Sequence, residues 1–144
     1  MAVPARVTLI TLGVTDVQAS GAFYERLGWR RSSSSQKEVV FLRLHGAHLS
    51  LFGAADLAED AAIEPRADHG FRGISLAINV ASREEVDRVY GEWIAAGATV
   101  LRSPEAAFWG GYRGYVADPD GHAWEIAHNP FWPLDDAGFA VLPE

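Results

Sequence analysis

Glu125 poses the chemical question in this chain. It stands inside Ala123-Trp124-Glu125-Ile126-Ala127, a run that otherwise reads as an apolar strand. A carboxylate in such a strand must face water, a partner or a ligand, because burying it unpaired is costly. It can serve as a metal ligand, a general base, or an acceptor for a cationic or hydroxylated molecule. It can equally be held by an arginine or a serine. Tyr115 lies ten residues earlier, on the strand that would pair with it, and is positioned to line the same face. His48 can act as a base or a ligand when neutral. Ser50, Ser75 and Asn79 are polar residues in apolar strands, and Ser50 shares the parity of His48. Facing inward, they would give a hydrogen-bonding cavity. Trp109 and Tyr112 border a Trp109-Gly110-Gly111 loop. They can stack on a planar or cationic molecule or pack beneath the loop. His122, next to a turn, and His128, of opposite parity to Glu125, are weaker candidates.

The elements that must position these groups begin with a hairpin. Residues 110–127 read as two strands joined by Asp118-Pro119-Asp120-Gly121. Proline presets the turn, and glycine permits the positive dihedral needed to leave it. The glycine-rich loop before the hairpin lacks the Lys-Ser/Thr ending and the following helix of a phosphate loop. No Ser-His-Asp arrangement is legible from the spacing.

An internal repeat organises the rest. Val7 to Val14 is strand-like. Thr15 or Asp16 then caps a helix through Phe23, Tyr24 and Leu27, which Gly28 ends. Ile74 to Val80 is again strand-like. Ser82 and Glu85 have capping-box spacing, and Val86, Val89, Tyr90, Trp93 and Ile94 recur at helical intervals up to Gly97. Further strands are expected near Trp29 to Ser32, at Val39 to Leu44 and His48 to Phe52, and at Thr99 to Arg102 before the hairpin. Each half reads as strand, helix and three strands. The modules span about 6–53 and 72–129 of a single domain, with a linker at 54–71 and an irregular tail at 130–144. The tail aromatics Phe131, Trp132 and Phe139 are suited to packing or to an interface.

Composition narrows the function classes. The chain has 144 residues and no cysteine, which excludes disulfides, thiolate nucleophiles and Cys-type metal sites. Its net charge is −7, which argues against nucleic acid or an anionic membrane surface and is compatible with cationic small molecules. No apolar run has the length of a membrane span, and no signal-peptide pattern is seen, so a cytoplasmic location is expected.

The chain resembles the vicinal oxygen chelate superfamily, which includes glyoxalase I, extradiol dioxygenases, fosfomycin-resistance enzymes and bleomycin-binding proteins. The resemblance is carried by Leu12-Gly13-Val14-Thr15-Asp16 leading to Phe23-Tyr24-Glu25-Arg26-Leu27-Gly28. It continues in Ala96-Gly97-Ala98-Thr99 and in Asp118-Pro119-Asp120-Gly121 with Trp124-Glu125. It implies an α+β fold in which two βαβββ modules form an open, eight-stranded, incomplete barrel around a cavity. It also implies a homodimer.

In metal-dependent members, four inward positions supply His, Glu or Gln ligands. By register these fall on Leu9, Ser50, Ser75 and Glu125, and neighbouring registers restore no ligand set. Leucine has no donor atom, and a serine hydroxyl is a poor ligand unless deprotonated. Tyr115 resembles the active-site tyrosine of the extradiol dioxygenases. The leading expectation is therefore metal-independent binding or sequestration of a small organic molecule, similar to the bleomycin-resistance branch, with no cofactor. The alternative is a glyoxalase I-like lyase or a dioxygenase using one divalent ion (nickel, zinc, manganese or iron). Glu125 would then be a ligand or base, with His48 or waters completing the shell. The candidate site set is Glu125 and Tyr115 for catalysis, and His48, Ser50, Ser75, Trp109 and Tyr112 for ligand binding.

Overall fold

Each repeat opens with a strand that hands over to a helix capped by a short polar side chain. Asp16 caps α1 (Val17–Arg26) by accepting from the Ala19 amide, and Ser82 caps α3 (Arg83–Ala95) by accepting from the Glu85 amide. The expected capping box is only half made, because the Glu85 carboxylate pairs with Arg88 instead. The computed structural model describes residues 3–65 and 70–144. Their contacts gather into two units, Met1–His69 and Gly70–Glu144.

The first unit comprises β1 (Leu9–Val14), α1, β2 (Arg30–Arg31), β3 (Val39–Arg43), β4 (His48–Gly53) and α2 (Ala54–Asp60). Its sheet runs β1-β4-β3-β2, with β1 parallel to β4 and the other pairs antiparallel. The second comprises β5 (Ser75–Asn79), α3, β6 (Thr99–Ala106), β7 (Tyr112–Ala117) and β8 (Ala123–His128). Its sheet runs β5-β8-β7-β6 with the same sense of pairing. Neither four-stranded sheet closes on itself. The α+β class and the two βαβββ modules are thus as the sequence implies.

Strand alternation sends one side of each sheet toward its helix. In the first unit, Leu12, Val14, Val40, Leu42, Leu49 and Leu51 are buried, as are Phe23 and Tyr24 of α1. In the second, Val116, Trp124 and Ile126 are buried, together with Val86, Tyr90 and Trp93 of α3. The Trp93 and Trp124 rings meet at 5.1 Å between centroids.

The segment 54–71, expected as a linker, is not irregular throughout. Its first seven residues form α2, rich in Ala, Leu and acidic residues, which favour helix. That helix has no side-chain cap and buries none of its residues, so it leaves little periodic signal. Positions 66–69 of that segment lie outside the described residues. The tail at 130–144 carries one isolated bridge, Leu134 to Ala140, over a turn in which Asp135 accepts from the amides of Ala137 and Phe139.

β6 is not regular. Val100 pairs with Val116, but Arg102 pairs with Tyr115 and Glu105 with Arg113, so β6 gains one residue on β7 at each step. The first of these bulges coincides with a hydrogen bond from the α3 residue Tyr90, whose hydroxyl is shared between the Arg102 and Tyr115 carbonyls at 3.2 Å each. Gly114 makes room for that ring, because a Cβ there would lie 2.8 Å from Tyr90 Cε2 and 3.0 Å from the Arg102 carbonyl oxygen. Burial also pushes the Tyr90 hydroxyl above its ordinary pKa, so it remains a donor. Tyr90→Phe is expected to cost about 1 kcal/mol, the net worth of one such bond. Urea unfolding measures this as a lower midpoint with an unchanged slope.

Candidate functional site

The hairpin turn that sets the β7–β8 register is tied to one carboxylate. Asp118 Oδ1 accepts from the amides of Asp120 at 3.0 Å and His122 at 2.8 Å, and Gly121 leaves the turn at φ +85°. The register then places Tyr115 directly opposite Glu125. Trp124 and Ile126 point toward α3, so Glu125 projects from the other face of the sheet.

Three rows of side chains cross that face. Arg102, Tyr115, Glu125 and Ala77 form the central row across β6, β7, β8 and β5. Glu105, Arg113, Ala127 and Asn79 form the next, and Thr99, Ala117, Ala123 and Ser75 the one on the other side. Small residues surround the carboxylate on β5 and β8, while the charged residues stand on β6 and β7.

Electrostatics follow from this packing. Burial pushes the Glu125 carboxyl above its ordinary pKa, against the opposing effects of the Arg113 charge and a hydrogen bond from the Tyr115 hydroxyl. Burial likewise raises Tyr115, reinforced by the Glu125 charge. The Arg113 side chain is only 13% exposed, and its Nη1 is buried without a hydrogen-bond partner. Its closest carboxylate contact through that nitrogen is Glu105 Oε1 at 3.7 Å, an oxygen that Arg102 already holds. The face therefore presents a carboxyl group with a raised pKa, a phenol directly opposite it and a guanidinium with a free donor.

The other expected residues are distributed unevenly. Ser75 shares the face of Glu125, two residues away by register along β5 and β8. Tyr112 lies on the opposite face, where its hydroxyl donates to Asp87 at 2.7 Å and its ring lies under the Arg83 guanidinium. The bond to Asp87 also raises its pKa. Trp109 packs over Gly111, where a Cβ would collide with its ring and lie 2.6 Å from the His128 carbonyl oxygen. Tyr112 is thus held on the α3 side, away from the face of Glu125, while Trp109 packs against the loop.

In the first unit, His48 and Ser50 share one face, as their parity predicts, with His48 opposite Leu9 and Ser50 opposite Thr11 and Phe41. Ser50 is buried and His48 exposed. His48 Nδ1 accepts from the Leu44 amide at 3.1 Å, which leaves the proton of the neutral ring on Nε2. The histidine borders a cavity of about 380 Å³ with Leu9, Phe41 and Arg43. Arg113 was not singled out from the sequence, although it lies two residues before Tyr115 and shares its parity.

Comparison with known proteins places this architecture. The family model for the Glyoxalase/Bleomycin resistance protein/Dioxygenase superfamily matches residues 6–126. The chain belongs to that superfamily. Among solved structures, a glyoxalase-related enzyme from Fulvimarina pelagi is 38% identical at TM-score 0.85, covering 97% of this chain and 99% of that one. A glyoxalase/bleomycin resistance protein/dioxygenase from Nocardioides is 25% identical at TM-score 0.76, covering 89% and 85%. Lactoylglutathione lyase from Agrobacterium tumefaciens, 24% identical at TM-score 0.68 over 92% and 99%, shares the fold. No curated protein matches the chain.

The metal of the superfamily's metal-dependent members does not fit the residues present. Of Leu9, Ser50, Ser75 and Glu125, only Glu125 carries a good donor, and the Arg113 charge beside it disfavours a divalent ion. Among the described residues, no group of three or more His, Asp or Glu is placed to hold one. Among them, too, no helix is long and apolar enough to cross a membrane.

Proposed function

We propose that the protein binds a small organic molecule without a resident metal, on the face of the β5-β8-β7-β6 sheet that carries Glu125. One observation carries this reading. Where a metal-dependent member needs a second and third anionic or imidazole donor, Glu125 has a hydrogen-bonding tyrosine and a guanidinium as neighbours. That set recognises hydrogen-bonding and charged groups on an organic ligand, and recognition of this kind needs no Lewis acid.

A second reading follows from the Fulvimarina pelagi neighbour, described as an enzyme. In it, Glu125 moves a proton as a general acid or base, for which its raised pKa suits it.

A thermal-shift screen of small organic molecules in the presence of a chelator tests the binding reading. A ligand at a hundred times its dissociation constant is expected to stabilise the fold by about 2.7 kcal/mol with the chelator present. Stabilisation that appears only on adding nickel, zinc, manganese or iron, accompanied by hemithioacetal isomerisation, would overturn it. Turnover that persists with the chelator and is lost in Glu125→Gln would favour the second reading.

A further inference from the structure

We propose that the ligand on this face is a small organic carboxylate, whose acid group docks on Arg113 Nη1 beside Glu125 and Tyr115. This rests on the metal-independent binding reading above. It starts from the donor that the fold leaves unused. A buried guanidinium nitrogen without a hydrogen bond is uncommon, because each such group forgoes the bonds it had in water. Arg113 is held in that state by its strand. Its register partners are Glu105 and Ala127, and the Glu105 oxygen nearest to it is engaged by Arg102.

The surroundings select the acceptor. A planar guanidinium matches a carboxylate through charge-assisted, often bidentate bonds, which are stronger than neutral ones. Among the described residues of this sheet, the charged and titratable groups facing this point are Arg113 and Tyr115 on β7, Arg102 and Glu105 on β6, and Glu125 on β8. β5 contributes Ala77 and Asn79, which carry no charge, and α3 lies on the other face. Two arginines of this sheet thus face two acids, and Arg113 Nη1 is the donor left over for an incoming anion. The Tyr115 hydroxyl can also donate to a hydroxyl or carbonyl oxygen next to the ligand's acid group, as can the Glu125 carboxyl when it carries a proton. Beside Glu125 on β5 and β8 stand Ala77, Ala123 and Ser75, whose short side chains add no bulk or charge next to the carboxylate.

The test compares matched compounds on the intact protein at pH 6. The carboxylates are mandelate, lactate and benzoate. Their amides, with benzylamine, serve as neutral and cationic counterparts. Calorimetry and thermal shift are expected to show binding by at least one carboxylate and none by its amide or by benzylamine. Arg113→Gln is expected to weaken that carboxylate at least about tenfold, the loss of one charge-assisted bond. Where Arg113→Gln fails to fold, Arg113→Lys and the wild-type protein decide. Lysine keeps the charge and loses the fork, so affinity should fall but not vanish. In the wild type, the Arg113 side-chain nitrogen resonances should move on titration with the carboxylate. Binding of amides or benzylamine in preference to carboxylates, or unchanged carboxylate affinity without Arg113, overturns the proposal and leaves metal-independent binding standing. Absence of binding by every compound at any charge, with binding restored by a divalent metal, overturns both.

Discussion

Trp93→Ala is expected to lower the stability of the second unit by about 3–5 kcal/mol, the cost of removing a large aromatic from a packed core. Trp93 is 2% exposed and lies on the face of α3 that also buries Val86 and Tyr90. Its ring meets that of Trp124 at 5.1 Å and 41°. Aromatic pairs at such spacing add stabilisation beyond the area they bury. Truncation to alanine would open a cavity between helix and sheet that the neighbouring backbone can only partly fill. The consequence reaches the candidate site, because Trp124 immediately precedes Glu125 and its packing holds that part of β8 against α3. Thermal unfolding by circular dichroism should show a melting temperature lower by about 10 °C. Trp93→Phe should recover a large part of the loss. A drop of under about 3 °C for the alanine variant would show that the α3 face is not what holds this sheet.

The parts of this architecture that were legible in the sequence are those set by local chemistry. Thr15-Asp16 and Ser82 announce the two long helices because a short oxygen acceptor satisfies amides that the first turn leaves free, and the structure selects Asp16 of the first pair. The Asp-Pro-Asp-Gly turn announces the β7–β8 register, and that register puts Tyr115 opposite Glu125. Parity along β4 correctly groups His48 with Ser50.

What was not legible depends on where local rules are overridden. Tyr112 has the sequence features of a ligand-stacking aromatic, but one residue of parity sends it to the α3 side, where Asp87 and Arg83 hold it. The two bulges in β6 are the larger omission. With simple alternation, Arg102 would follow Val100 to the same face. The extra residue reverses that and brings Arg102 into the row of Tyr115 and Glu125. The second bulge sets Glu105 opposite Arg113. Pro104 lies inside the second bulge and is a sequence mark of it, since proline in a strand is confined to edges and bulges, whereas no proline in β6 marks the first. Arg113 itself was within reach of the parity argument that picked Tyr115, and a search for charge partners of Glu125 along β7 would have found it.

Arg113 and Glu125 should behave as an energetically coupled pair whose strength depends on pH. In the folded protein, burial raises the Glu125 pKa, while Arg113 and the Tyr115 hydroxyl hold it down. Between the ordinary carboxyl value of about 4.3 and the raised folded value, the native state binds more protons than the unfolded chain. Stability from this residue is therefore complete below that window and declines as pH rises through it. Arg113→Gln removes the nearby cation, so the folded value climbs further and the window widens upward. The single variant should match the wild type most closely near pH 4 and lose most at pH 8. A loss of about 1–2 kcal/mol is expected at pH 8, below the 3–5 kcal/mol typical of a broken buried pair because Glu125 is half-buried and water screens it. Glu105 keeps Arg102 as a partner in that variant and should contribute little to the loss. Adding Glu125→Gln removes the charge left without its cation, so the double variant should regain most of the stability at pH 8. A double-mutant cycle by urea unfolding at the two pH values isolates the pairwise energy. Coupling of the same size at pH 4 and pH 8 would show that the two residues interact through packing and not through the charge on Glu125.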